Sequence, residues 1–242
     1  MLELIQLSEL ASYFDLKSLG KKNHIGIVGG GGKTTILHAL GRELPGKTVL
    51  TCTTKMGYDQ NRDLPVYFEP EDELILKISP ETPIMAWKEI QGEKAIGVDP
   101  STCDHWFKII DNVVVEADGS RRLPFKAPAH FEPVIPESCT VMISTIGADA
   151  LDQIIDTHCH RPQRVADFAE CFPEEYLTPE RAAKVILHPE GQIKAKPPQA
   201  QFCVVITKVD ETNVYKVEEL VDLLRRAEER TTIAAVAFGI TS

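Results

Sequence analysis

Short apolar runs alternate with amphipathic stretches along this chain. Leu7, Leu10, Ala11 and Phe14 recur at helical spacing and predict a short amphipathic helix over 6–18. Residues 24–28 form an apolar run that leads into four consecutive glycines. After them Ile36, Leu37, Leu40 and Leu44 share one helical face, and Pro45-Gly46 ends that helix. Residues 48–53 are rich in β-branched side chains and read as a strand. Strand, glycine loop, helix and strand make a βαβ unit, which implies a parallel sheet covered by helices. Further on, PIMAW (83–87) and KAIGV (94–98) read as a hairpin on the sheet edge. NVVVEA (112–117) and CTVMIST (139–145) are apolar enough for central strands. Residues 148–192 read as helical, broken at Pro162, Pro173 and Pro179, and 192–201 as a polar connection. A strand at 202–207, a helix at 214–229 and a strand at 232–238 complete the pattern. The expected fold class is α/β. It is a three-layer α/β/α domain with a mainly parallel sheet over 1–242, in which 148–200 is a candidate helical sub-lobe.

Composition narrows the function more than the fold. The chain has 242 residues, enough for one large domain or two small ones, and is 43% hydrophobic, which suits a full core. A formal net charge of −10 argues against nonspecific binding to nucleic acid or to anionic membranes. No apolar run approaches the roughly 20 residues that span a bilayer. The N-terminal MLELIQLSEL lacks the basic region and cleavage site of a signal peptide. The six cysteines contain no C-x-x-C pair, and so read as scattered reduced thiols. A cytoplasmic protein without nucleic-acid or membrane partners is expected.

GIVGGGGKTT (26–35) carries the main chemical signal. A phosphate loop turns consecutive backbone N–H groups toward one anion, and glycines leave that approach open. The helix N-terminus behind it attracts anions. Gly29, Gly30, Gly31, Gly32, Lys33, Thr34 and Thr35 are therefore the expected nucleotide contacts. Lys33 would reach the β- and γ-phosphates, and the Thr34 hydroxyl would bind Mg²⁺. The common spacing would place a glycine at 27, where Ile27 stands. Gly26, Gly29 and Gly32 instead give a shortened cradle that resembles the Gly-Thr-Asn-Gly-Lys-Thr-Thr loop of Mur-type ligases. The domain is thus expected to be P-loop NTPase-like, with ATP or GTP and Mg²⁺ as cofactors. A flexible glycine turn is the plain alternative.

NVVVEADGSRR (112–122) offers the carboxylates that such a loop needs. Glu116 and Asp118 stand two apart at a strand end, on one face. Glu116 is expected on the metal side, with Asp118 as second ligand or general base. Arg121, Arg122 and Lys126 follow, either as a clamp for an anionic group or as a solvated basic loop. TKVD (207–210) follows a strand, and GTPases place a similar [Asn/Thr]-Lys-x-Asp to read guanine, which nominates Lys208 and Asp210. Thr53, Thr54 and Lys55 should also sit near the sheet's C-terminal edge. His158, Cys159 and His160 lack the spacing of a metal site, although His160-Arg161 could reach a substrate.

Together VGGGGKTT, TCTTKM, VVVEADGSRRLPFKAP, FEPVIP, HRP and ITKVD resemble the YqeC-like selenium cofactor biosynthesis proteins, over about residues 8–240. The resemblance implies an accessory step in maturing a selenium-dependent molybdenum hydroxylase, with that enzyme or its cofactor as partner. By matching motifs it carries over Gly29, Gly32, Lys33 and Thr34 as phosphate-loop positions, and Glu116, Asp118, Gly119 and Arg121 as the acidic motif. Cys52 and Thr207 depart from the expected Thr and Asn. Lys33, Glu116, Asp118 and Arg121 are the expected catalytic groups of a Mg²⁺-dependent nucleoside triphosphatase. A Mur-ligase-like or kinase-like enzyme acting on a small anion, and a nucleotide-switched chaperone, are the alternatives.

Overall fold

The structure, a computed structural model, describes residues 2–18, 20–228 and 231–237. Its frame is a nine-stranded sheet in which every neighbouring pair is parallel. In chain order the strands are β1 (Leu4–Ile5), β2 (Asn23–Gly29), β3 (Thr48–Cys52), β4 (Val66–Phe68), β5 (Ile84–Trp87), β6 (Asn112–Glu116), β7 (Val141–Gly147), β8 (Gln201–Val209) and β9 (Thr232–Ala237). Across the sheet they run β1-β9-β8-β7-β2-β6-β3-β5-β4. The longer helices are α1 (Lys33–Glu43), α2 (Pro100–Ile109), α3 (Pro162–Ala169), α4 (Pro179–Leu187) and α5 (Val214–Ala227).

Both faces of the sheet are buried, so its strands read as apolar runs rather than as alternating ones. The side chains still alternate. Val114 points with Ile25, Ile27, Leu50 and Ile143 toward Ile36, Leu37 and Leu40 of α1 and Leu10 of the short Leu10–Tyr13 helix. Val113 and Val115 point the other way, toward Trp106 of α2. On that second face Met142, Ile146, Val204 and Ile206 pack against Val165, Val185 and Leu220 of α3, α4 and α5. The helices of residues 148–200 thus share a hydrophobic cluster with the central strands.

Local chemistry sets the helix ends. α2 and α4 both begin with proline, whose fixed φ suits the first helical position. The Thr178 hydroxyl caps α4 by accepting from the Arg181 N–H at 3.3 Å. α1 stops at Leu44, which turns extended before Pro45-Gly46.

Several expectations are corrected. PIMAW and KAIGV do not form an edge hairpin. β5 is fully buried and lies inside the parallel sheet between β3 and β4. Lys94–Ile96 pairs instead with Lys55–Gly57 and Glu89–Gln91 in a small antiparallel sheet. The helix expected over 6–18 shrinks to a 3-10 turn and the four residues Leu10–Tyr13. Residues 148–192 are not continuously helical, because Cys159–His160 forms a strand paired with Phe125–Lys126. Glu229 and Phe238, the expected last residues of the final helix and strand, lie outside the described residues. Among the described residues, no helix is long and apolar enough to cross a membrane.

One buried group makes the fold pH-sensitive. His24, at the start of β2, is fully enclosed; its Nδ1 lies 2.9 Å from the Ser138 hydroxyl, and its Nε2 has no partner among the described residues. Burial pulls its pKa down to about 4, against the opposing pull of Asp104 and Ser138. Between the ordinary value near 6.5 and about 4 the unfolded chain holds a proton that the folded chain refuses. Stability should therefore fall as pH drops through that window, by on the order of 2 kcal/mol between pH 7 and 5. Urea midpoints at the two pH values should show this slope in the wild type and a shallower one in His24→Gln; identical slopes would exclude His24 as its source.

Candidate functional site

The site forms where the C-terminal ends of β2 and β6 meet, the usual ligand position in open α/β sheets. Ile27 is paired with Glu116 across these strands, and Gly29 with Thr145 on the other side. The chain leaves β2 at Gly29, passes through Gly30, Gly31 and Gly32, and enters α1 at Lys33. Gly26 lies inside β2, where the absent side chain makes room for Ile135 and Cys139. Ile27 and Val28 also belong to the strand, so the loop proper starts at Gly29.

The glycines are required by contact as well as by conformation. Gly29, Gly31 and Gly32 have φ of 94°, 77° and 116°, in the left-handed region that other residues avoid. A Cβ on Gly31 would stand 2.1 Å from the backbone nitrogen of Gly147. The loop is clamped from behind. The Gly30 N–H donates to the Thr145 carbonyl at 3.0 Å and the Gly31 N–H to the Leu123 carbonyl at 3.2 Å. The Thr207 hydroxyl donates to the Gly31 carbonyl. The first N–H groups of α1 have no carbonyl one turn back, and among the described residues no side chain caps them. They open on a cleft of about 300 Å³ lined by Gly31–Thr35, Glu116 and Arg121, among others.

Charges are concentrated beside this cleft. The Lys33 ammonium donates to the Gly29 carbonyl at 2.7 Å and lies 3.2 Å from Asp118 and 3.8 Å from Glu116. Burial alone would depress its pKa, but the carboxylates of Asp118 and Glu116 outweigh it and raise it above the ordinary lysine value. The Thr34 hydroxyl donates to Glu116 at 2.8 Å. Burial pushes the Glu116 carboxyl upward, with Lys33 and Thr34 opposing. Asp118 lies deeper. Its Oδ2 accepts from the Gly29 N–H at 3.1 Å and meets the Lys126 ammonium at 3.0 Å. Lys126 also reaches the Gly119 carbonyl and Glu132, both at 2.7 Å. Glu132 in turn accepts two bonds from Arg161, at 2.7 and 3.0 Å. Burial raises the Glu132 pKa, but Lys126 and Arg161 outweigh it and hold the carboxyl below its usual range.

Most residues expected from the sequence converge here. Glu116, Lys33, Thr34, Thr35, Arg121, Arg122, Lys55 and Lys208 line the cleft, while Asp118 stands behind the loop as its brace. Lys126 is corrected: it is fully buried on a short strand, not part of a solvated basic loop. Asp210 is not brought into the cleft. Its carboxylate accepts from the Thr212 N–H at 2.8 Å and the Thr212 hydroxyl at 2.6 Å, closing a turn. Lys208 faces the cleft with its ammonium 2.6 Å from Asp149. Thr53 donates to the Val134 carbonyl at 2.7 Å, and the Thr54 hydroxyl is buried without a partner among the described residues. Among the described residues no three His, Cys, Asp or Glu side chains gather as a metal cluster, so His158, Cys159 and His160 do not form one. Gln60 and Arg62, which also line the cleft, carry no motif in the sequence that would have named them. Glu132 lies within FEPVIP, whose spacing alone assigns it no partner.

A second cleft, of about 560 Å³, shares Gly119 and Arg121 with the first and continues to Glu132, Asp156, His160 and Arg161.

Fold and site together define a three-layer α/β protein with a glycine loop at the C-terminal edge of its parallel sheet, set against a buried row of charges. Comparison with known proteins then places it: a family model described as YqeC protein matches residues 25–163. The uncharacterized protein YqeC of Escherichia coli (strain K12) is 32% identical over 196 residues, covering 77% of this chain and 76% of that protein. The chain belongs to the YqeC family. No solved structure matches it.

The contacts around the glycines separate two substitutions. Gly31→Ala forces a Cβ against the Gly147 backbone at a positive φ, and should lower stability by more than about 2 kcal/mol. Gly119→Ala meets nothing within 4 Å and should stay within about 0.5 kcal/mol of wild type. Chemical denaturation of both variants measures the difference; equal stabilities would contradict the packing described for the loop.

Proposed function

We propose that this protein is a Mg²⁺-dependent P-loop nucleoside triphosphatase or phosphoryl-transfer enzyme. The single observation that carries the reading is the Gly29–Thr35 loop, with α1's uncapped N-terminus open to a cleft that Lys33 and Glu116 line. Uncapped helix N–H groups and the helix dipole favour a phosphate there. Lys33 sits on the loop carbonyl beside two carboxylates, and its raised pKa keeps it charged. By a change of rotamer it would exchange those partners for phosphate oxygens.

The residues present fit a magnesium ion. The Thr34 hydroxyl and Glu116 are already 2.8 Å apart at the cleft, a hard-oxygen pair. Mg²⁺ keeps several waters and takes only one or two protein ligands beside phosphate, so no larger cluster is required. Bound there by Thr34 and Glu116, it would neutralise charge on the phosphates. Asp118 fits this arrangement as the carboxylate that fixes Gly29 and Lys126. Arg121 and Arg122, which also line the cleft, would add positive charge where the transition state accumulates negative charge.

The pathway rests on the family resemblance, chiefly EADGSR: nucleotide turnover would drive a step in maturing a selenium-containing molybdenum hydroxylase. The second cleft favours one further reading, a kinase-like or ligase-like reaction in which a small anion is the acceptor.

A melting-temperature panel tests the nucleotide. MgATP or MgGTP at about 100 times its Kd should stabilise the protein by roughly 2.7 kcal/mol. Glu116→Gln should abolish Mg²⁺-dependent turnover, lowering it by about 100-fold or more. No thermal response to any nucleotide, or unchanged turnover in Glu116→Gln, defeats the reading. Because the Asp210 carboxylate is engaged by Thr212, Asp210→Ala should change ATP and GTP affinity equally, as titration calorimetry would show; a selective loss of GTP would instead assign it to guanine.

A further inference from the structure

The second cleft is not explained by nucleotide binding, and its wall is built unusually. Arg121 and Arg161 both hold left-handed backbone conformations, with φ of 51° and 61°. Arg121 is exposed and has no ion pair or hydrogen bond among the described residues. Arg161 gives both terminal nitrogens to Glu132, yet 23% of its side chain stays accessible. The His160 ring has no hydrogen-bond partner among the described residues and lines the same cleft.

Two acids belong to this cleft and must be weighed. Glu132 is already neutralised by Lys126 and Arg161, and its side chain is only 8% exposed. Asp156 is exposed and has no ion pair among the described residues. The open wall therefore offers Arg121 and the outer edge of Arg161 to an anion, with Asp156 able to accept from a hydroxyl or amine. His160 reports the same field: burial first, then Arg161, Lys126 and Arg121, pull its pKa down to about 4. At neutral pH the ring is uncharged and can accept or donate one hydrogen bond.

We propose that the cleft between Arg121, His160 and Arg161 binds a second substrate, a small anion that also carries a hydroxyl or amine. Gly119 and Arg121 line both clefts, so this ligand would lie beside the nucleotide's phosphate end. The role as co-substrate rests on the nucleotide reading; anion binding itself does not. The two clefts are also joined through the interior. Lys126 bridges Asp118 behind the glycine loop to Glu132 behind Arg161, and Lys126 is paired in register with His160 on the adjoining strand. A ligand that draws on Arg161 alters the charge balance felt by Lys126 and Asp118. The two ligands should therefore influence each other's affinity reciprocally.

NMR of the histidine rings tests this in the intact chain, with malate and inorganic phosphate as probes, with and without Mg²⁺ and a nonhydrolysable triphosphate. His160→Ala assigns the signal, and the exposed His105 on α2, which is paired with Asp72 and does not line this cleft, serves as reference. The expected result is a saturable shift of the His160 ring by malate, with little change at His105. Arg121→Ala should weaken it by at least tenfold. A response to phosphate alone, lost once the triphosphate is bound, would assign the effect to the glycine loop and overturn the second site. No response at His160 to either probe, while the triphosphate still raises the melting temperature, would also overturn it. A malate response in a protein that binds no triphosphate would leave the anion site standing and remove the nucleotide reading instead.

Discussion

The site depends on a buried row of alternating charges. Glu116, Lys33, Asp118, Lys126, Glu132 and Arg161 follow one another at 3.8, 3.2, 3.0, 2.7 and 2.7 Å. Three carboxylates face three cations, so the row is formally neutral. A buried ion pair seldom adds net stability over an apolar substitute, whereas removing one partner is costly. The row is better understood as a positioning device. Asp118 holds the Gly29 N–H, Lys33 holds the Gly29 carbonyl and Lys126 holds the Gly119 carbonyl. Two backbone turns, at the ends of different strands, are thereby fixed relative to one another by side chains.

That arrangement makes the Lys33 position a choice between partners. Leaving Asp118 and Glu116 would strand two carboxylates in a poorly solvated place. Asp118 retains Lys126 and the Gly29 N–H on its Oδ2, while its buried Oδ1 has no hydrogen-bond partner among the described residues. Among the described residues Glu116 keeps the Thr34 hydroxyl as its side-chain hydrogen-bond partner and the more distant attraction of Lys126, with burial already pushing it toward its neutral form. A movement of Lys33 is thus favourable when a proton or a cation reaches Glu116 at the same time. On the proposed nucleotide reading, a phosphate arriving with a divalent cation would meet both needs, and a phosphate alone would meet one.

The fold was legible in the sequence where one physical rule dominated. The β2–α1–β3 unit followed from an apolar run, a glycine break and a helical repeat, and its bounds agree with the structure within about one residue. Glu116 and Lys33 were legible because a strand end and a helix start each fix where a side chain goes. β5 was misjudged because a short apolar run looks the same in a hairpin as in a parallel sheet, and only the pairing with β3 and β4 decides. Lys126 was left open between an anion clamp and a solvated loop, because sequence shows a lysine but not the carboxylates that allow it to be buried. Those carboxylates, Asp118 and Glu132, lie eight positions before and six after it, and no common strand or helix joins them to it. The second cleft was out of reach for the same reason: it joins the 119–132 turn to a strand near residue 160 by pairing alone.

That pairing explains why the two clefts belong to one construction. Phe125–Lys126 is only two residues long, and so is its partner Cys159–His160. Strands this short are not stable by themselves. They persist because Phe125 and Cys159 are buried in the cluster formed by β7, β8 and the helices, on one side of the pair. The period of two then turns their neighbours, Lys126 and His160, to the other side. Lys126 is thereby delivered to Asp118 and Glu132, and His160 to the cleft wall. Packing of two apolar side chains, rather than attraction between charges, sets where the far end of the charge row lies, and the glycine loop is braced against that end.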